Sequence, residues 1–179
     1  MLAVVIGGSG SGKSEYAERM ALHLAGERPR FYLATMQVWD EECQARVQRH
    51  RKQRAGRGFV TVERPKQLAG IPREQLDREG TVLLEDLGNL VANELYAPGA
   101  DEEKAEQAIW QGVEHLVAES RHVVLVSNEV STGGADYAGE TERYLRLLGR
   151  LHQRLAQRAD VVCEVAAGLP IYYKGRKLV

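Results

Sequence analysis

The sequence has few cysteines and no long apolar run, and both shortages restrict what the protein can be. The only two cysteines among its 179 residues, Cys43 and Cys163, lie far apart and have no CxxC or histidine-rich companion. This pattern argues against a disulfide framework and against a structural zinc site, and it is typical of reduced, cytosolic thiols. The first apolar run, Leu2 to Ile6, is too short for a signal peptide or a membrane span. We therefore expect a cytoplasmic protein with no membrane span.

A surplus of charge of either sign is also missing. Lysine and arginine number 24 and aspartate and glutamate 25, so the formal net charge is -1. This balance gives no reason to expect a nucleic-acid partner. The length suits one ordinary domain with a core of its own, and we expect residues 1–179 to form a single P-loop nucleotide-binding domain.

Internal repeats and long low-complexity linkers are absent, and short apolar segments instead alternate with longer polar segments of helical spacing. This alternation predicts an α/β fold of three layers, with a mainly parallel sheet covered by helices. A last segment, from Leu169 to Tyr173, could add an antiparallel edge strand. The other predicted strands are Leu2–Ile6, Phe31–Ala34, Phe59–Val62, Thr81–Leu84, Val123–Val126 and Val161–Val165, and the predicted helices are Lys13–Ala25, Asp40–Arg54, Leu87–Tyr96, Glu102–Glu119 and Glu140–Arg158.

A glycine-rich segment follows the first predicted strand and opens the first predicted helix. It fits the G-x-x-x-x-G-K-[ST] pattern, in which backbone amides and a helix N-terminus surround phosphate oxygens. We expect Lys13 to neutralise the β and γ phosphates and the Ser14 hydroxyl to bind Mg²⁺. The alternative is a glycine-rich turn with a chance lysine. The predicted phosphate-binding residues are Gly7, Gly8, Ser9, Gly10, Ser11, Gly12, Lys13 and Ser14.

Polar residues follow several predicted strands and should meet at one edge of the sheet, because ligands of parallel sheets collect beyond the carboxyl ends of the strands. A carboxylate from this edge is needed to hold the metal and its water. Glu85 and Asp86 both qualify, and the alternative for either is a solvated strand end or a helix cap. The residues at this edge are Thr35, Glu63, Glu85, Asp86, Ser127, Asn128 and Glu129.

The predicted helix Asp40–Arg54 is acidic at its start and strongly basic at its end. This order complements the helix dipole, but the dipole does not explain why Arg46, His50 and Arg54 recur at four-residue steps along one face. A row of basic side chains along one face of a helix favours binding of phosphate oxygens. Neighbouring cations favour the neutral imidazole, which is the nucleophilic form and could attack the α-phosphorus of a triphosphate. A surface histidine without a role is the alternative.

Taken together, these motifs resemble the bifunctional adenosylcobinamide kinase and adenosylcobinamide-phosphate guanylyltransferase family of cobalamin biosynthesis. The likeness spans nearly the whole chain. The segments that carry it are Gly7-Gly8 with Ser11-Gly12-Lys13-Ser14, Tyr32 to Thr35, Asp40-Glu41-Glu42 with Arg46-Val47 and His50-Arg51, Leu83-Leu84-Glu85 with Asn93, and Val126 to Val130.

The resemblance implies a RecA-type P-loop protein that assembles as a homotrimer and acts on a corrinoid substrate. ATP or GTP would phosphorylate adenosylcobinamide, and GTP would then donate GMP through a guanylylated histidine. His50 matches the nucleophile of the family, and Glu85 is the preferred Mg²⁺ ligand on the same ground. The nucleotide-binding residues then include Thr35, Arg46, Arg51, Glu63 and Glu85.

The sequence departs from the family pattern at several positions. Gly10 stands where the family usually has arginine, Asp86 where cysteine is frequent, and His152 where asparagine is common. Two other functions stay open: a small-molecule P-loop kinase without guanylyl transfer, and a non-catalytic nucleotide sensor whose loop is ordered by the triphosphate.

Overall fold

The computed structural model describes residues 1–37, 56–129 and 139–179. Two short 3₁₀ turns, Leu68–Gly70 and Arg73–Gln75, lie between the third and fourth strands. The predicted helix Asp40–Arg54 falls outside the described residues. In chain order the elements are β1 (Leu2–Gly7), α1 (Lys13–Ala25), β2 (Arg30–Ala34), β3 (Phe59–Glu63), β4 (Thr81–Glu85), α2 (Leu87–Leu95), α3 (Glu102–Glu119), β5 (His122–Asn128), α4 (Glu140–Arg158), β6 (Val161–Ala166) and β7 (Leu169–Lys174).

All seven strands form one sheet in the order β3-β2-β4-β5-β1-β6-β7. The first six strands pair in parallel, and β7 pairs antiparallel to β6. The predicted antiparallel edge strand is thus confirmed. Because β1 is paired with β5 on one side and β6 on the other, the loop after β1 lies between the ends of two neighbouring strands.

Each face of the sheet has its own apolar core, because alternate residues of a strand point to opposite faces. On one face, Tyr16, Ala17 and Met20 of α1 pack against residues such as Val5 and Val126. On the other face, residues of α2, α3 and α4 pack against the intervening strand positions, including Val4 and Leu125. The predicted three-layer α/β fold is therefore confirmed.

Arginines of α4 form a row of ion pairs with glutamates of α3. Arg150 donates to Glu106 and Glu102, and Arg154 donates to Glu106 while its guanidinium lies 4.2 Å from the centre of the Trp110 ring. Exposed pairs of this kind each contribute little to stability. As a row, they fix the register between α3 and α4, and α4 carries two side chains of the site described below.

Among residues 1–37, 56–129 and 139–179, no helix has the length and apolar character that crossing a membrane requires.

Candidate functional site

The glycine-rich segment forms a tight loop between β1 and α1. Gly10 and Gly12 have φ angles of 70° and 88°, in the left-handed region that glycine adopts without strain. The Ser11 amide donates to the Gly8 carbonyl oxygen at 3.2 Å, which closes the turn. Gly12 is the N-cap of α1 and provides no capping side chain, so the first amides of this helix remain available to an anion. The strand-loop-helix context predicted for this motif is confirmed.

Gly7 is enclosed by its neighbours on both sides. A Cβ atom added to it would lie 2.7 Å from the Val165 carbonyl oxygen and 2.5 Å from Ser11 Oγ. Its own carbonyl oxygen accepts a hydrogen bond from the Glu129 amide at 3.0 Å. The phosphate loop is therefore attached to β6 on one side and to the residue after β5 on the other.

Lys13 begins α1 and is buried. Its Nζ donates to the Gly8 carbonyl oxygen at 3.1 Å, so the ammonium group lies against the inner side of the loop. A lysine in this position presents a full positive charge beside the amides of the loop. A cation beside backbone amides is an arrangement that suits the oxygens of a polyphosphate.

Two carboxylates lie at the carboxyl end of β4: Glu85 is its last residue and Asp86 follows directly. In the sheet, β4 is two strands away from β1 and therefore roughly 10 Å from it at the usual strand spacing. Glu85 Oε2 accepts a hydrogen bond from the Tyr32 hydroxyl at 3.1 Å. Asp86 instead caps α2, because its Oδ1 accepts from the Asn89 amide at 2.7 Å. The helix-cap alternative is thus confirmed for Asp86, and Glu85 is the carboxylate of this pair that does not serve as the cap.

Asp86 also connects β4 to β5. Its Oδ2 accepts a hydrogen bond from Asn128 Nδ2 at 3.2 Å. Burial raises the pKa of the Asp86 carboxyl group, the adjacent Glu85 charge adds to this effect, and the hydrogen bond from Asn89 and the Lys13 charge oppose it.

Thr35 follows β2 and is fully buried. Its hydroxyl donates to the Asp86 carbonyl oxygen at 2.7 Å, and its own carbonyl oxygen accepts from Asn93 Nδ2 at 2.8 Å. The same amide group donates to the Pro65 carbonyl oxygen at 2.8 Å. Asn93 of α2 thus joins the chain after β2 to the chain after β3, and Thr35 supports the backbone of β4 in this structure.

His152 of α4 reaches the end of β5, a contact that the sequence did not predict. Its Nε2 lies 2.7 Å from the Oγ of Ser127, which is fully buried. Burial lowers the pKa of His152, and the negative charge of Glu129 partly opposes this shift. A signal was present in the sequence, because His152 follows Leu148 by four residues and so shares the apolar face of its helix.

Tyr144, also on α4, was missed as well. Its hydroxyl would lie only 2.8 Å from a Cβ atom added to Gly88, and Asp86 Oδ1 would lie 3.2 Å from the same atom. Burial raises the pKa of Tyr144 to about 12, and the Asp86 charge contributes to that rise. The glycine at the start of α2 therefore makes room for a protonated tyrosine beside Asp86.

The remaining predicted site residues are scattered. Ser14 lies in the first turn of α1, next to Lys13. Glu63 ends β3, the edge strand, four strand spacings or about 19 Å from β1. Arg46, His50 and Arg51 lie outside the described residues. In the described part of the chain, no group of three histidine, cysteine, aspartate or glutamate side chains could hold a metal ion by itself.

Comparison with solved structures supports the fold. A solved ATPase domain superposes with a TM-score of 0.56 at 10% sequence identity, and the match covers 91% of this chain and 68% of that chain. At this identity the likeness concerns the fold alone. With the parallel sheet and the loop after β1, it confirms the predicted P-loop NTPase fold of RecA-like type.

Comparison with known sequences extends the likeness to one family. The bifunctional adenosylcobalamin biosynthesis proteins CobU of Escherichia coli (strain K12) and CobU of Salmonella typhimurium (strain LT2) are 32% and 33% identical to the chain, covering 97% of it and 100% of each relative. CobP of Pseudomonas aeruginosa is 32% identical, covering 99% of the chain and 100% of that protein. Residues 3–173 match the family described as cobinamide kinase / cobinamide phosphate guanyltransferase, and the chain belongs to this family.

Proposed function

We propose that this protein phosphorylates adenosylcobinamide and then transfers GMP from GTP to adenosylcobinamide phosphate through a guanylylated His50, giving adenosylcobinamide-GDP. Membership of the family makes the chain a transferase with kinase and guanylyltransferase activities on a corrinoid. The observation that carries the assignment to this site is the phosphate loop, with buried Lys13 against its inner side and the carboxylates of β4 on the adjoining part of the sheet.

In the kinase step, the loop from Gly7 to Ser14 holds the triphosphate. Its amides and Lys13 neutralise the phosphate oxygens and so make the γ-phosphorus more electrophilic. The hydroxyl oxygen of adenosylcobinamide forms the new P–O bond while the bond to the β–γ bridging oxygen breaks. The nucleoside diphosphate leaves, and the hydroxyl proton passes to a base or to water.

Mg²⁺ is proposed to lie between Ser14 and Glu85. The donor set fits this ion, because Mg²⁺ in phosphate sites takes one or two protein oxygens and fills its other positions with phosphate oxygens and water. One hydroxyl at the start of α1 and one carboxylate at the end of β4 supply that number. When bound, the ion would offset the negative charge of the phosphate oxygens.

In the guanylyl step, the imidazole of His50 is proposed to form a P–N bond with the α-phosphorus of GTP as the bond to the leaving pyrophosphate breaks. A phosphate oxygen of adenosylcobinamide phosphate then attacks the same phosphorus and releases the histidine. Arg46 and Arg51 are proposed to neutralise the phosphates during both exchanges.

Further expectations come from the family resemblance. Thr35 and Glu63 are proposed nucleotide contacts, and Glu63 needs a ligand that extends well beyond the phosphate loop because it ends the edge strand. We propose that residues 1–179 act as one domain, that ATP and GTP both serve as substrates, and that the protein works as a cytoplasmic homotrimer without nucleic acid.

The decisive experiment uses GTP labelled at the α or the γ phosphate. After incubation with α-labelled GTP and denaturation, we expect an acid-labile, alkali-stable label on the wild type and on His23→Ala, a matched control because His23 is an exposed histidine of α1. His50→Ala should carry no label and should still transfer γ-phosphate to adenosylcobinamide.

The same experiment separates the alternatives. Transfer of γ label to product without any covalent α label would support a plain kinase. Nucleotide binding without transfer of either label would support a sensor. Retention of the α label in His50→Ala would overturn the histidine mechanism.

A further inference from the structure

At the carboxyl end of the sheet, the central strands β4 and β5 stop pairing with each other. Among the described residues, the last pair between them is Leu84 with Leu125. Beyond Leu125, β5 continues beside β1 until Asn128 lies opposite Gly7. The end of β5 is therefore attached to the strand that carries the phosphate loop.

The end of β4 is attached to β2 instead. Glu85 pairs with Ala34, and its carbonyl oxygen accepts a hydrogen bond from the Thr35 amide at 3.2 Å. We call the space between the carboxyl ends of β4 and β5 the sheet gap. The phosphate loop with Lys13 and Ser14 lies on the β5 side, and Glu85 lies on the β4 side. The width of the sheet gap therefore sets the distance between them.

The Asn128 side chain crosses the sheet gap. Its Nδ2 donates to Asp86 Oδ2 at 3.2 Å, which is at the long end of the normal range for a hydrogen bond. An asparagine side chain has two rotatable torsions, so a long bond from it fixes a distance only loosely. The width of the gap therefore depends on further contacts.

Helix α4 contacts both sides of the sheet gap. On the β4 side, the Tyr144 hydroxyl lies against Gly88 in the first turn of α2, since a Cβ atom added to this glycine would lie 2.8 Å from it. On the β5 side, His152 Nε2 lies 2.7 Å from the Oγ of Ser127, which is fully buried. The two side chains are eight residues apart, which is about 12 Å along one face of a helix.

The part of α4 between these two contacts is packed into the core. Leu147, Leu148 and Leu151 are buried between Tyr144 and His152. On its other side the helix is tied to α3 by the row of ion pairs. Because packed interiors are hardly compressible, a helix held in this way keeps the distance between its two contacts constant.

We propose that α4 braces the sheet gap, and that His152 and Tyr144 are positioning residues that fix the phosphate loop relative to Glu85. This inference rests on the proposed function, because the distance matters only when a triphosphate in the loop reacts. The two side chains act through the strand ends and do not touch the nucleotide. Misplacing reacting groups by about 1 Å can slow a reaction roughly a hundredfold, while the loop still binds phosphates through its own amides and Lys13.

The test separates turnover from nucleotide binding. The kcat is measured for transfer of γ-phosphate from labelled GTP to adenosylcobinamide, and the dissociation constant of a non-hydrolysable GTP analogue is measured by calorimetry. His152→Leu and Ser127→Ala each remove the contact on the β5 side. His152→Gln keeps it, because a glutamine amide reaches as far as Nε2. Tyr144→Phe removes the hydroxyl on the β4 side.

His115→Leu is the matched control. His115 is a half-buried histidine of α3 whose Nε2 lies 3.0 Å from the Ile71 carbonyl oxygen. The substitution therefore removes a similar hydrogen bond, but one that joins α3 to the segment between β3 and β4. Urea denaturation of every variant measures the accompanying loss of stability.

We expect His152→Leu and Ser127→Ala to lower kcat about ten- to a hundredfold and to change the dissociation constant of the analogue by less than about twofold. The double variant should be no slower than either single one, because both substitutions remove the same contact. Tyr144→Phe should lower kcat about three- to tenfold, because its ring still packs against α2. His152→Gln should stay within about threefold of the wild type, and His115→Leu should leave kcat unchanged.

An unchanged kcat in His152→Leu or in Tyr144→Phe would overturn the brace and leave the proposed function intact. An equal loss of kcat in His115→Leu would also overturn it, because stability alone would then explain the effect. The same holds for a loss of analogue affinity that matches the loss of kcat. A wild type that transfers no γ-phosphate would instead refute the proposed function itself.

Discussion

The phosphate loop and the β4–β5 edge occupy neighbouring parts of the same sheet but are built from different atoms. The loop is made of backbone: the amides of Ser11, Glu129 and Gly168 all donate to backbone oxygens within or beside it. The β4–β5 edge is made of side chains, in which Asp86, Asn128 and Thr35 bond to one another or to the chain nearby.

This difference determines how each region tolerates substitution. At Gly7 and Gly12 of the loop, the limit is space, because a Cβ atom added to either of them would lie close to backbone atoms of the β6–β7 region. At the edge, the limit is hydrogen bonding and charge, because each side chain is a partner of another one. Steric changes should therefore harm the loop most, and changes of donor, acceptor or protonation state should harm the edge most.

The largest effect is expected for Gly7→Ala. The new Cβ would lie 2.7 Å from the Val165 carbonyl oxygen, a backbone atom that cannot move without shifting β6. Overpacking of this kind costs about 1–3 kcal/mol in the free energy of unfolding. Urea denaturation of the nucleotide-free protein measures this loss, and binding of a GTP analogue should weaken with it.

Gly8→Ala is the matched control for this substitution. A Cβ added to Gly8 has no neighbour within 4 Å, so we expect the free energy of unfolding to change by less than about 0.5 kcal/mol. Equal destabilisation by both substitutions would show that the loop is not limited by contact with β6.

A smaller effect is expected for Asp86→Ala at the β4–β5 edge. The substitution removes the cap of α2 and the acceptor for Asn128, which costs about 1–2 kcal/mol in the free energy of unfolding. Asp86→Asn keeps an oxygen that can cap the helix. Its unfolding free energy at neutral pH should therefore be close to that of the wild type, as urea denaturation can measure.

The pH dependence of the free energy of unfolding, compared between the wild type and Asp86→Asn, provides a second check. The pKa of Asp86 is raised in the folded protein, so the folded state binds its proton more tightly than the unfolded state does. The contribution of Asp86 to stability therefore falls as the pH rises from its ordinary value of 3.8 through the folded pKa. The amide of Asp86→Asn does not titrate, so the free energy of unfolding of this variant should rise relative to that of the wild type over the same pH range. A difference in the free energy of unfolding between the two proteins that does not change with pH would contradict the raised pKa of Asp86.

The smallest effect is expected at His152, and it should depend on pH. Burial lowers its pKa below 6.5, so the unfolded state binds the proton more tightly. This histidine therefore costs stability progressively as the pH falls from 6.5 toward the folded pKa, and the cost is absent above 6.5.

His152→Asn tests this expectation, because its amide can still bond to Ser127 and does not titrate in this range. Its free energy of unfolding should match that of the wild type at pH 8 within about 1 kcal/mol and decline less steeply below pH 6.5. If the free energy of unfolding of the two proteins showed the same dependence on pH, His152 would have an ordinary pKa.

Much of the fold could be predicted because its signals are local. The apolar runs and the helical segments between them led to the seven strands, the three layers and the antiparallel β7. Predicted ends agreed with the observed ones for α1, α3 and α4 and elsewhere differed by at most two residues, as for β5, which begins at His122 and ends at Asn128. Hydrophobic spacing marks the middle of a strand better than its ends.

The site was predicted less completely. The glycine-rich loop and its place between β1 and α1 were predicted correctly, but Glu85 and Asp86 could not be told apart until Asp86 was seen to cap α2. His152 and Tyr144 were missed because neither belongs to a motif, and their roles depend on how α4 packs against the sheet. The predicted roles of His50, Arg46 and Arg51 stay predictions.

The sequence by itself determined the phosphate loop, because its glycines, its lysine and its place between a strand and a helix are all contained in eight consecutive residues. Only the tertiary structure decided what surrounds that loop. The order of strands places β5 and β6 beside β1, and the register sets Asn128 opposite Gly7. Contacts such as Gly168 with Ser11 join residues far apart in the chain, and no local pattern specifies them. They exist because the strands of the described residues share one sheet, and its central strands β1, β4 and β5 bury apolar side chains on both faces.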